Sequence, residues 1–338
     1  MTPFSYHRPE AIDEALALIG PDSRFIAGGT NLLDLMKENV LHPRRLIDIN
    51  RLPLREITPT PEGGLLIGAL VGNAELAWDP RIEARYPLVA KAILAGASPQ
   101  LRNMASTGGN LLQRTRCYYF YDAQTPCNKR EPGSGCPARD GLNRMHAILG
   151  ASEACVAVHP SDLCVALAAL GAQVHTQGPQ GKRRINFADF HRLPGDEPWR
   201  DNNLDERELI TAVELPAQGY ANHCAYLKLR DRASYAFALV SVAAALDLDG
   251  EQIRGARIAL GGVAHKPWRV IEAEQLLCGR RAEPAAFAEA AERLLQGAQP
   301  LAGNAFKAQP LAGNAFKIEL ARRAIVRALG EAAGGTPR

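Results

Sequence analysis

The sequence predicts an α+β protein built from more than one unit, and three observations carry that reading. The first 50 residues alternate strand-like and helix-like segments in a βαβ-like order. The middle of the chain holds a long stretch without periodicity that is rich in Cys, Pro, Gly and aromatics. Beyond about residue 218 a new series of strands, then helices, begins.

Taken in order, Ala11 to Ile19 carries apolar residues at helical spacing and stops at Gly20. Arg24 to Ala27 is a short strand that runs into Gly28, Gly29, Thr30 and Asn31, and Leu32 to Met36 starts a second helix. Leu46 to Ile49 is the next strand. Gly64 to Val71 is a strand, a helix starts at Asn73, and Leu88 to Ala97 is another helix. Leu111 to Arg144 has no period, and so long a segment inside a compact chain needs something to fix it. Ser161 is a good N-cap for an apolar helix to Leu170. Gln173 to Thr176 and Glu208 to Leu215 are strands, the second closed by Pro216. After a boundary at Gln218 to His223 come a strand at Tyr226 to Leu229, the apolar run Ala236 to Leu246 and a strand at Ile253 to Leu260. Helices follow at Glu272 to Leu277, Pro284 to Leu295 and Ile318 to Leu329. The expected division is 1–58, 59–218 with an insertion at about 112–156, and 222–330.

Composition narrows the function. With 338 residues, 46% hydrophobic and 22% charged, the chain has ample material for packed cores. A net charge of +3 argues against a nucleic-acid binder that relies on a dense basic face. No run of about 18 apolar residues is present, so no membrane span is expected. Met1 to Glu10 holds neither an apolar signal core nor a twin arginine, so the expectation is a chain without an export signal of its own. Ala298 to Lys307 (AQPLAGNAFK) is repeated unchanged as Ala308 to Lys317. The unit is too short for a solenoid and is expected to be a surface loop without function.

Seven cysteines suit a disulfide framework poorly, and four of them fall close together: Cys117, Cys127, Cys136 and Cys155. Their spacing matches neither a zinc finger nor a ferredoxin. Four thiolates can hold an iron–sulfur cube or a zinc ion, and either would order a segment that has no core of its own. Arg114, Arg116, Lys129 and Arg130 stand ready to offset cluster charge. Cys164 reads as a core residue, and Cys224 and Cys278 are isolated. The eight histidines are scattered, and no triad or metalloprotease signature appears, so no catalytic residue for substrate is expected on this chain.

Two glycine-rich turns share a design. Ile26 to Leu33 (IAGGTNLL) and Ala105 to Leu111 (ASTGGNL) place consecutive backbone N–H groups and the hydroxyls of Thr30, Ser106 and Thr107 where a pyrophosphate could be cradled. No G-x-G-x-x-G opens a helix, so a Rossmann site is not supported. Together with His159 to Asp162 (HPSD), Arg232 to Ala243 (RASYAFALVSVA) and Gly261 to Arg269 (GGVAHKPWR), these turns resemble the medium, FAD-binding subunits of the xanthine dehydrogenase and carbon monoxide dehydrogenase family. The resemblance spans essentially the whole chain.

The resemblance implies a two-subdomain FAD-binding fold of the vanillyl-alcohol-oxidase (PCMH) type, followed by a C-terminal α+β domain of the CO dehydrogenase flavoprotein type. It implies that FAD is cradled by Ile26, Ala27, Gly28, Gly29, Thr30, Asn31, Leu32 and Leu33, and by Ser106, Thr107, Gly108, Gly109 and Asn110. Asp162, Ile210 and Lys228 fall on the family's positions nearer the ribityl and ring portions. The segments Gln113 to Asp122 and Pro126 to Cys136 look like the aldehyde oxidoreductase branch, where the four cysteines hold a [4Fe–4S] cluster; a 4-hydroxybenzoyl-CoA reductase-like flavin subunit is the alternative. In such complexes a large subunit with the molybdenum cofactor oxidises an aldehyde with water. A small subunit carries two [2Fe–2S] clusters, and FAD passes the electrons to an external acceptor. Such a chain is expected in the periplasm, carried there bound to a signal-bearing partner, with the cytoplasm as the alternative. A self-contained flavin oxidase would need its own substrate base, which is not evident.

Overall fold

The structure is a computed structural model and describes residues 1–301 and 313–335. Three sheets organise it. The first is parallel: β1 (Ser5–His7) and β2 (Ser23–Ile26) flank β3 (Arg45–Asp48), and the helix Leu32–Lys37 makes the crossover between β2 and β3. The second is antiparallel with five strands, β4 (Ile57–Pro59), β5 (Leu65–Gly68), β8 (Leu209–Leu215), β6 (Gln173–Gly178) and β7 (Gly181–Asn186), in the order β4-β5-β8-β6-β7. The third is antiparallel, with β10 (Val240–Asp249) between β9 (Cys224–Leu229) and β11 (Gln252–Gly261). The sheets and helices confirm the α+β class.

The helix Asp162–Leu170 joins these layers. Its sequence is apolar on every side, so it can only be buried, and it is buried at every position. The Ser161 hydroxyl accepts from Cys164 N at 3.1 Å, and Gly171 ends the helix in the left-handed conformation at φ 70°. It packs with Pro87–Ala95 in the core that also holds Ala243 and Ala245 of β10. The alternate residues of β10, Val240, Val242, Ala244 and Leu246, face a second core with the helices Pro284–Leu294 and Phe316–Ala333. Period-two alternation along one strand thus serves two cores.

Several short elements were not legible. The helices Pro80–Arg85, Pro99–Met104 and Thr107–Leu111 are too brief to show a period. The apolar run from Ala236 becomes strand only at Val240. The repeat 298–317 lies largely outside the described residues, but its second copy departs from the expected surface loop. Asn314 and Lys317 are fully buried, and both donate to backbone carbonyls, Lys317 Nζ to His146 O at 2.8 Å.

Candidate functional site

The two glycine turns meet back to back. A Cβ on Gly28 would lie 1.6 Å from Met104 O, so only glycine permits this approach. Gly29 takes φ +72°, the left-handed region. Asp48 at the end of β3 accepts from Tyr6 Oη and Asn50 N, and Asn50 Nδ2 donates to Ala27 O at 3.0 Å, which fixes the first turn from the neighbouring strand. The second turn is tied to the end of β5: Thr107 N and Oγ1 both donate to Val71 O at 2.9 Å, and Gly108 N donates to Ala69 O at 2.8 Å.

A cleft of about 330 Å³ opens beside these turns, and a second of about 230 Å³ continues from it; Thr30 and Asn31 line both. The glycines Gly28, Gly29 and Gly109 line the smaller cleft, and Asn110 of the second turn lines the larger. Arg102, Arg116, Lys228, Arg230 and Arg232 line the larger cleft, against one carboxylate, Asp162. That balance suits a ligand with negative charge, such as a pyrophosphate. Asp162 is not the exposed first-turn carboxylate its position would allow. It is buried, accepts from Lys228 Nζ at 2.7 Å and accepts from Tyr226 Oη at 2.7 Å. Burial, then the Asp162 charge, pushes the Tyr226 phenol well above its ordinary value, so it is a donor here. The Asn110 side-chain oxygen accepts from Ser161 Oγ and from Gln113 Nε2, and so joins the second turn to the HPSD segment.

Most of the residues expected from the sequence come together here. Ile26 to Leu32, Ser106 and Gly109 line the smaller cleft, and Thr30, Asn31, Asn110, Asp162 and Lys228 line the larger one. Leu33, Thr107, Gly108 and Ile210 line neither cleft. Leu33 packs beneath Gly29, Thr107 and Gly108 face the end of β5, and Ile210 sits in the core on β8. The basic residues Arg102 and Arg230 and the aromatic residue Phe237 of the cleft were missed as site residues. They come from three separate segments, and only the fold brings them to one place.

Cys117, Cys127, Cys136 and Cys155 line one small enclosed cavity, although they span the aperiodic segment. No disulfide joins any described cysteine. Burial pushes the Cys117 thiol up to about 12 and that of Cys155 up to about 11. Such thiols give up their protons when a metal takes their place. Four soft thiolate donors around one cavity are a set that an iron–sulfur cluster or a zinc ion could use. Elsewhere, the ligand atoms of His159, Cys164 and His191 lie within 4.8 Å of one another. His159 and His191 are held neutral by burial, His191 down to about 4, and Cys164 is in the core as expected.

The four cations of this segment divide their work in a way the sequence did not show. Lys129 is buried and pulls Cys155 downward, but it also pairs with Asp201 at 2.6 Å. Arg114 pairs with Asp201 at 2.6 Å, and Arg130 donates to backbone carbonyls at Tyr119 and Phe120. Arg116 donates to Asn31 of the first glycine turn, and to Asp34 and Tyr121.

Comparison with known proteins agrees with this geometry. Residues 2–218 match the family described as the FAD binding domain in molybdopterin dehydrogenase, and 225–332 match the CO dehydrogenase flavoprotein C-terminal domain. The chain is 51% identical, over 98% of its length and 99% of the relative's, to the aldehyde oxidoreductase FAD-binding subunit PaoB of Escherichia coli. It is 28% identical to the carbon monoxide dehydrogenase medium chain of Hydrogenophaga pseudoflava, over 89% of this chain and 90% of that one. A solved carbon monoxide dehydrogenase from Hydrogenophaga pseudoflava, lacking the Mo-pyranopterin moiety of its cofactor, superposes with a TM-score of 0.74, 28% identity and 98% of each chain covered.

Proposed function

Because this chain belongs to the family of FAD-binding medium subunits of the molybdenum hydroxylases, we propose that it is the FAD- and [4Fe–4S]-binding electron-transfer subunit of a heterotrimeric aldehyde oxidoreductase. The observation that carries this reading is the pairing of two sites. A cationic cleft at two back-to-back glycine turns is linked, through the consecutive residues Arg116 and Cys117, to a cavity lined by four cysteines.

In this reading Ile26 to Leu33 and Ser106 to Asn110 form the pyrophosphate cradle, with the cleft's arginines opposing its charge. Asp162 and Lys228 lie farther along the cleft and orient the remainder of the cofactor. FAD, when bound, supplies a two-electron store between one-electron carriers and an external acceptor. The chain's own part is to hold that group, exclude water from it and set its electrostatic surroundings. Cys117, Cys127, Cys136 and Cys155 would ligate the cluster through soft sulfur. The aldehyde is oxidised with water to the carboxylic acid on a large molybdenum subunit, and a small [2Fe–2S] subunit relays the electrons. No helix among the described residues is long and apolar enough to cross a membrane. Export to the periplasm with a signal-bearing partner belongs to the same proposal.

The test is metal analysis of the purified protein and of Cys127→Ser. The proposal expects iron and sulfide in the first and their loss in the second. Unchanged iron in the variant, or zinc in place of iron, would overturn the cluster assignment.

A further inference from the structure

The guanidinium of Arg116 stands where the two sites meet. Its Nη2 donates to Asn31 Oδ1 at 2.6 Å, in the first glycine turn. Its Nη1 donates to Tyr121 Oη at 2.7 Å and to Asp34 Oδ2 at 3.1 Å. Its plane lies over the rings of Tyr121 and Phe237, 5.8 and 5.1 Å from their centroids. One residue thus touches the glycine turn, the helix after it, the cysteine segment and the start of the C-terminal sheet region. Its backbone is bonded directly to Cys117, which lines the cysteine cavity.

A third, small cavity lies between the other two. Cys117 and His146 line it together with the cysteine cavity, and Arg116, Ser161, Asp162 and Phe237 line it together with the larger cleft. His146 Nε2 lies 3.1 Å from Cys117 Sγ. Cys117 is therefore the cysteine that faces the flavin side, and Arg116 is its neighbour across that wall.

The chemistry of arginine fixes the rest. A guanidinium has only donors, so the Asn31 oxygen must be the atom turned to Arg116. The Asn31 amide N–H groups are then the part left to face the cleft it lines. A displaced Cys117 would drag the Arg116 backbone, one peptide unit of about 3.8 Å away, and release that orientation. We infer that Arg116 is a positioning residue that couples the two sites, so that a filled cysteine site holds Asn31 in the form that binds FAD. This rests on the reading of the four cysteines as an iron–sulfur site.

The test is a double-mutant cycle on the full chain freed of flavin, with FAD as the titrant and flavin fluorescence quenching as the readout. The four proteins are wild type, Arg116→Gln, Cys127→Ser and the double variant, each assayed for iron. Each single change is expected to weaken FAD binding by roughly fivefold or more, the lower end of ordinary site–site coupling. The double variant is expected to be no weaker than the worse single. Arg116→Lys keeps the charge but cannot reach both Asn31 and Tyr121, and is expected to recover only part of the loss. If Arg116→Gln does not fold, Arg116→Lys takes its place in the cycle. Loss of iron from Cys127→Ser with wild-type FAD affinity, or factors that simply multiply, would overturn the coupling while leaving the cluster intact. Unchanged iron in Cys127→Ser would overturn both.

Discussion

Lys228 on β9 sets its ammonium 2.7 Å from the carboxylate of Asp162, the first residue of the buried helix Asp162–Leu170, at the wall of the cationic cleft. Their side chains are 5% and 9% exposed, so the charges are compensated by each other, by Tyr226 Oη and by Ala95 O rather than by water. Breaking a buried pair by removing one partner costs about 3–5 kcal/mol, because the other charge is stranded. Lys228→Met is therefore expected to lower thermal stability by that order and to lose flavin. The double variant Lys228→Met with Asp162→Asn should regain stability without regaining flavin. Calorimetry and the flavin absorbance of the purified proteins check both parts.

Gly28→Ala tests the contact between the turns. Its Cβ would be driven 1.6 Å from Met104 O, a backbone atom that cannot yield without moving the second turn. Overpacking of this kind costs about 1–3 kcal/mol. The expected result is a folded protein whose FAD affinity falls at least tenfold, about 1.4 kcal/mol. Wild-type affinity in this variant would show that the turns need not touch to hold the cofactor.

Gly330→Ala should act in the opposite direction. Gly330 is exposed on the helix Phe316–Ala333, and an added Cβ there meets nothing within 4 Å. Alanine in a helix interior is favoured over glycine by about 0.5–1 kcal/mol. A rise in melting temperature with unchanged flavin content is expected, measured by circular dichroism.

The buried imidazoles predict acid sensitivity. Burial, the first cause in each case, lowers His191 and His265 to about 4 from 6.5. An unfolded chain therefore takes up these protons first as pH falls. Stability from these groups is full above about 6.5 and is lost as pH drops toward 4. His191→Gln keeps an N–H donor for Leu111 O, the partner of His191 Nε2 at 2.9 Å, and cannot titrate. Its unfolding free energy, followed in denaturant from pH 7 to pH 4, should fall less steeply than that of the wild type. Equal slopes would contradict the assignment.

Much of this architecture could be read from the chain because the informative features are local. The glycine turns and the Ser161 cap with its apolar helix each declare themselves within a dozen residues. The density of the four cysteines pointed to a common place, and they line one cavity. What could not be read is relational. Arg102, Arg116 and Arg230 reach one cleft from distant segments, and no spacing rule connects them. Arg116 looked like a counter-charge for the cysteines, whereas its guanidinium serves Asn31. Lys317 looked like part of a spare repeat, yet it is buried against His146 O and Gly262 O. Thr107 and Gly108 share the second turn's motif with Ser106 and Gly109, but helical rotation points them at β5 and not at the cleft.

The central claim is that one chain holds both a flavin and an iron–sulfur cluster. The most direct measurement is the cofactor content of this chain purified apart from any partner subunit, from its visible spectrum together with iron, sulfide and zinc analysis. The account predicts one FAD and about four iron atoms per chain, the content of a single cubane cluster held by four thiolates. A protein with flavin but no iron, or with about one zinc in place of iron, would contradict it.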